Sequence, residues 1–264
     1  MFTIVNQIKI YYEDRGKGMP VVLLHGYPLD HTIWNRVASR LESKARIIAP
    51  DLRGHGLSEA PQGVYTMHQM AADVAALLDN LQIQQAVLVG HSMGGYISLA
   101  FAQAFPDRLL GLGMVSSQAA ADNPERKAAR YETARMVEAE GVGVVAESMP
   151  ARLTSQPELI ESLRRLILKM KPEGVIGDLQ GIAERAEMSA WISRLCVPAA
   201  VIAGGADALV PLASAQEMAE RFPNCQLTVI PQAGHMPMLE SPEEVANALA
   251  ALIATVNKAG RNDL

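Results

Sequence analysis

Val87-Leu88-Val89-Gly90-His91-Ser92-Met93-Gly94-Gly95 joins a short apolar run to a segment of helical periodicity through a serine set among glycines. The run 85–89 reads as a strand buried on both faces, and the apolar spacing over 93–105 reads as a helix packed against it. The turn between them carries G-x-S-x-G. In a strand–turn–helix setting the serine must occupy a strained corner that lifts its hydroxyl above the sheet, where side chains two residues to either side would collide. The same corner puts Ser92 at a helix N-terminus, where free N–H groups and the helix dipole favour developing negative charge. A glycine-rich turn with a serine N-cap is the plainer reading of the same letters, so the surrounding order of elements has to decide.

Working outward, 21–24 is a second solid apolar run ending at His25-Gly26, followed by a helix over 32–41, a strand at 46–49 and a helix near 67–81. Past the serine come a strand at 110–115 and, after a change of rhythm, strand 199–203, helix 212–221, strand 226–230 and helix 242–256. Strands alternating with helices at this spacing predict βαβ units in a mostly parallel sheet with helices on both faces. The alternating runs 2–5 and 8–12, separated by Asn6-Gln7, add an antiparallel hairpin and bring the expected strands to eight. Residues 118–189 hold no strand-like run, only three or four helical segments broken near 141–143, 150–157 and 172–174. The predicted organisation is therefore an α/β core from 1–117 and 190–264, with a helical cap, or lid, at 118–189 inserted after the sixth strand.

Of the 264 residues, 49% are apolar and 19% charged, enough for a large dry core and too apolar for a disordered chain. A net charge of −5 argues against a nucleic-acid partner, which wants a clustered basic surface. Cys196 and Cys225 form no disulfide framework or metal knuckle, the first residues lack a signal peptide's apolar centre, and no run has the roughly eighteen apolar residues of a membrane span. These features predict a soluble, cytoplasmic protein without a membrane or nucleic-acid partner, either a monomer or a homodimer.

A serine hydroxyl needs a base, and six histidines compete for that role. His235, in Ala233-Gly234-His235, follows the last predicted strand, and strand-end loops on one edge of a parallel sheet converge. His25 and His55 read as structural hydrogen-bonders in glycine-flanked loops, His31 as a surface loop histidine, His68 as solvated, and His91 as pointing to the far side of the turn. A carboxylate must fix the base's tautomer. Asp207, in Gly204-Gly205-Ala206-Asp207, follows the next-to-last strand, although turn capping alone would also account for it. Backbone N–H groups of Met93 and Tyr27 are the expected oxyanion donors.

With His25-Gly26-Tyr27-Pro28, Asp51-Leu52-Arg53-Gly54-His55-Gly56-Leu57-Ser58, the serine turn, Gly205-Ala206-Asp207 and Ala233-Gly234-His235 in place, the chain resembles the α/β-hydrolase superfamily over nearly its whole length. Within it, Gly-His-Ser-Met-Gly-Gly and the capped layout are similar to small bacterial carboxylesterases and to relatives of enol-lactonases. The resemblance implies a carboxylic ester hydrolase with catalytic Ser92, Asp207 and His235, working through an acyl-enzyme on a small-molecule ester without metal or cofactor. It also implies that Asp51 and Arg53 brace the loop beside the site. Epoxide hydrolases and haloalkane dehalogenases of this fold carry aspartate where this chain has Ser92, which disfavours those reactions. Enol-lactonase, carbon–carbon bond hydrolase and lyase activities on the same scaffold stay open, as does a ligand-sensing receptor that keeps the triad. Tyr27, Trp34, Met136, Trp191 and Met236 are the expected substrate-binding residues. Arg126, Arg130, Arg135, Arg164 and Arg165 are matched by nearby glutamates and read mostly as solvated helix faces, so no anchor for an anionic substrate is expected.

Overall fold

The computed structural model describes residues 1–262. Eight strands, β1 (Phe2–Val5), β2 (Ile8–Arg15), β3 (Pro20–Leu24), β4 (Arg46–Pro50), β5 (Ala86–His91), β6 (Leu109–Val115), β7 (Ala199–Gly204) and β8 (Cys225–Ile230), form one sheet in the order β1-β2-β4-β3-β5-β6-β7-β8. β2 pairs antiparallel with β1 and β4, and every other pairing is parallel. Asn6 and Gln7 make the β1–β2 turn with φ of 46° and 69°, the hand that matches strand twist in a two-residue hairpin. β2 runs past the predicted end at residue 12, because Glu13, Asp14 and Arg15 pair with Ala49, Ile48 and Ile47 of β4. Their polar side chains hide that pairing from the sequence pattern.

Every residue of the central strand β5 is buried, as the apolar run 86–89 requires when both faces are covered, and His91 at its end is buried with them. On neighbouring β6, Gly111 faces Leu252 and Val256, while Met114 reaches Gly95 on the opposite face. The elements supplying those contacts are α3 (Met93–Ala104) and α11 (Pro242–Asn262), with α1 (Asn35–Leu41) packed beside the latter and α2 (Met67–Asn80) beside the former. The predicted helix over 32–41 opens instead with a 3₁₀ turn, His31–Trp34, whose first amides are capped by Asp30.

Between β6 and β7 lie five helices rather than three or four: α4 (Pro124–Glu140), α5 (Gly143–Ser148), α6 (Pro150–Leu153), α7 (Pro157–Ile167) and α8 (Pro172–Ala183). Pro150, Pro157 and Pro172 each open a helix, a position whose fixed φ suits proline and whose missing N–H costs nothing. α9 (Leu212–Arg221) and α10 (Pro237–Glu240) complete the chain order. α8 is fused to the core loop that follows β4. A Cβ on Gly174 would lie 2.1 Å from the Gly54 carbonyl oxygen, and one on Gly181 would lie 1.8 Å from that of Tyr65, so only glycine admits the approach. No helix among the described residues is long and apolar enough to cross a membrane.

Candidate active site

Ser92 lies between β5 and α3 with φ 50° and ψ −113°, a strained corner for a residue with a Cβ. A Cβ on Gly90 would lie 2.2 Å from the Gly94 carbonyl, and one on Gly94 would lie 2.4 Å from the Leu24 carbonyl oxygen. The glycines at both positions are thus what lets the turn close. Ser117, just past β6, donates its hydroxyl to the Ser92 carbonyl at 2.8 Å and pins the corner from outside the motif. Met93 is the first residue of α3, so its amide has no acceptor within that helix.

The loops after β7 and β8 are knitted together: Gly205 N–H donates to Ile230 O at 2.8 Å and Ala206 N–H to Ala233 O at 2.9 Å. Asp207 and His235 meet there. His235 Nδ1 donates to Asp207 Oδ2 at 2.8 Å, with both side chains buried, while Oδ1 accepts the Leu209 and Val210 amides at 2.8 and 3.0 Å. Burial alone would raise the Asp207 carboxyl, but the His235 hydrogen bond and charge, with the two amides, hold it below the ordinary aspartate value.

Three further contacts hold the histidine loop. His235 N–H donates to Leu153 O at 2.9 Å, and Glu240 accepts from the Gly234 amide at 2.5 Å and from the Thr154 hydroxyl. His91 Nε2 donates to the His235 carbonyl at 2.9 Å, with the two rings 4.9 Å apart. Burial pushes His91 down to about 3, so its ring is neutral and Nε2 carries the proton. Nothing in the letters around Glu240, Ser117 or Thr154 marks them, because each acts on a residue distant in sequence or through backbone.

A cavity of about 240 Å³ brings Tyr27, Ser92, Met93 and His235 to one space. Its apolar wall comes from Met149, Leu153, Leu179 and Ile182 of the inserted helices and from Leu209 and Val210 beside Asp207. Among the described residues the Ser92 hydroxyl forms no hydrogen bond, and it borders the same cavity as the His235 ring. The Tyr27 ring is buried with its hydroxyl unpartnered, and burial holds that hydroxyl far above the ordinary phenol value.

Of the residues expected to touch substrate, Tyr27 lines the cavity and four do not. Trp34 is wholly buried in the core, Met236 is wholly buried beneath its own loop, and Trp191 packs against the core after the inserted helices. Met136 is exposed on α4, off the stripe that faces the cavity. His31 is also corrected: it is buried, not a surface histidine, because Asp51 takes both its amide (2.9 Å) and its Nδ1 (2.6 Å). Burial would lower His31, but Asp51 outweighs it and raises it above the ordinary value. Asp51 also accepts the Leu57 amide at 2.9 Å, and Arg53 holds Asp73 through Nε and Nη2 at 2.6 and 2.8 Å, so both brace the loop after β4. Arg126, Arg130 and Arg152 line the cavity; Arg126 is exposed, as a solvated helix face requires, Arg152 is exposed as well, and Arg130 is half-buried against Asp122.

A mostly parallel sheet with a serine at the β5 elbow, and an acid and a histidine on the next strand-end loops, defines the class: the chain belongs to the α/β hydrolase fold family, whose model matches residues 19–242. Its relatives include esterases and enol-lactonases. A thermophilic esterase from Thermogutta terrifontis, solved with malate bound, superposes with a TM-score of 0.92 at 41% identity, covering 97% of each chain. An enol-lactonase from Burkholderia xenovorans LB400 gives a TM-score of 0.89 at 25% identity over 96% of this chain and 100% of that one. In sequence, 3-oxoadipate enol-lactonase 2 of Acinetobacter baylyi is 30% identical over 232 residues, 86% of this chain and 85% of the relative.

Proposed function

We propose that the protein is a carboxylic ester hydrolase acting through an acyl-enzyme on Ser92. His235 takes the Ser92 proton as the oxygen attacks the ester carbonyl, and the new C–O bond leaves a tetrahedral oxyanion facing the Tyr27 and Met93 amides. Collapse breaks the ester C–O bond, with the alcohol leaving on the proton from His235. Water, deprotonated by the same ring, then releases the acid and restores Ser92. Asp207 keeps Nδ1 protonated, so that Nε2 is the basic nitrogen throughout.

The observation that carries this reading is the shared cavity of Ser92 and His235 together with the 2.8 Å His235–Asp207 hydrogen bond. The inserted helices at 118–189 serve as a lid that shapes the acyl pocket, supported by the cavity wall they supply. Lactones are esters whose alcohol stays attached, so the same steps open them; the enol-lactonase relatives favour including them among substrates. Two cysteines without a disulfide suit a reducing compartment, in keeping with a cytoplasmic enzyme.

A panel of p-nitrophenyl acetate, butyrate and small lactones tests the proposal. Wild type is expected to turn over many times per active site, and Ser92→Ala to lose about 10⁴-fold or more in kcat with an unchanged melting temperature. Stoichiometric acylation without release would instead support a ligand sensor, and activity surviving in Ser92→Ala would overturn the assignment.

A further inference from the structure

The wall of the cavity built by the inserted helices carries charge of one sign. Arg126 and Arg130, one turn apart on α4, line it with Arg152 of α6, and no aspartate or glutamate lines it at all. In a chain of net charge −5 that asymmetry is local and specific. Other cations of the same helices are matched: Lys127 with Glu184, Arg135 with Glu132, Arg164 with Glu147 and Arg165 with Glu161. Arg126 and Arg152 have no carboxylate oxygen within 4.0 Å among the described residues. Arg130 contacts Asp122, but that one buried carboxylate is also held by Arg185 at 2.9 Å, so it stands between two guanidinium groups. Arg126 and Arg152, both exposed to solvent, thus border the cavity with guanidinium forks for which the described residues supply no carboxylate.

We infer that the substrate is an ester or lactone whose acyl part carries a second, ionised carboxylate, seated against Arg126 and Arg152 while the scissile carbonyl sits at Ser92. The inference rests on the ester-hydrolase reading and narrows it. An anion on the acyl part stays bound after the alcohol leaves, so the arginines orient both acylation and deacylation.

The test compares p-nitrophenyl hydrogen adipate with p-nitrophenyl hexanoate, which differ at the far end in charge, in wild type and in Arg126→Gln/Arg152→Gln. Wild type is expected to favour the adipate by about tenfold or more in kcat/KM at low salt, with the preference shrinking as ionic strength rises. The double variant is expected to lose about tenfold of the adipate-to-hexanoate ratio, roughly one guanidinium–carboxylate contact. A ratio within about threefold of wild type in the double variant, or no adipate preference in wild type, overturns the inference. Calorimetric titration of adipate into Ser92→Ala protein, with and without the arginine changes, reads the same site without turnover. Adipate binding that needs the arginines, without Ser92-dependent hydrolysis of either ester, sinks the hydrolase reading and leaves the anion site standing. Ser92-dependent hydrolysis of both esters without adipate preference sinks the anion site alone.

Discussion

The two carboxylate oxygens of Asp207 are used separately, one for the His235 ring and one for the turn that follows, so turn capping and the base orientation proposed above coexist in one side chain. Asp207→Asn keeps an oxygen for the Leu209 and Val210 amides but offers His235 a group that can hold the wrong tautomer. It is expected to lose about 10³–10⁴-fold in kcat with little change in melting temperature, checked by steady-state kinetics beside a thermal scan. His31 makes a second residue-level prediction. Its raised value means that the folded form keeps a proton the unfolded chain releases above 6.5, so its contribution is full below pH 6.5 and fades as pH rises through the raised value. A ¹H–¹³C titration should place His31 above 6.5, and removal of Asp51 should bring it down; a titration at or below 6.5 contradicts the pairing. Ser92, Asp207 and His235 are legible in the letters because each lies within two residues of a glycine in the turn or loop that follows a strand. The His31–Asp51 pair is not, because it joins two loops twenty residues apart with no local pattern.

At the level of elements, α8 closely approaches the loop after β4. Beneath its glycines, His55 Nε2 and Asp178 Oδ2 lie 3.0 Å apart with both side chains wholly buried, and His55 Nδ1 donates to the Arg53 carbonyl at 2.9 Å. Burial alone would lower His55, but the Asp178 charge outweighs it and raises it above the ordinary value. Breaking a buried pair by removing one partner typically costs about 3–5 kcal/mol, so Asp178→Ala should fall that far in urea unfolding. A loss below about 1 kcal/mol would mean that water reaches the pair. α8 therefore belongs with the core, and α4 packs against it in turn. Helix content over 118–189 is legible from its periodicity, but the cavity-facing stripe of α4 is not. Arg126 and Arg130 stand among glutamates in sequence, and which residues of α4 border the cavity is decided by packing against distant helices.

Across the molecule, His25 and His91 lie under the sheet's loop edge, and burial pushes each down to about 3. His25 is satisfied as a neutral ring, accepting the Leu52 amide at Nε2 and donating from Nδ1 to the Gly26 carbonyl, both at 3.0 Å. In the unfolded chain both take protons below 6.5 while the folded form stays neutral, so stability must fall as pH is lowered from 6.5. The slope approaches about 1.4 kcal/mol per pH unit for each histidine by about pH 5, before aspartates contribute, and urea unfolding between pH 7.5 and 5 measures it. A flat profile would contradict the buried neutral assignment. The proposed chemistry of the whole molecule requires Ser92 to be the one activated hydroxyl. Intact-mass and peptide analysis after treatment with an alkyl p-nitrophenyl phosphonate tests this most directly. One equivalent of p-nitrophenolate and a single adduct on Ser92 are expected, absent in Ser92→Ala and slowed about 10³-fold or more in His235→Ala. An adduct elsewhere, or an equal burst from Ser92→Ala, would contradict it.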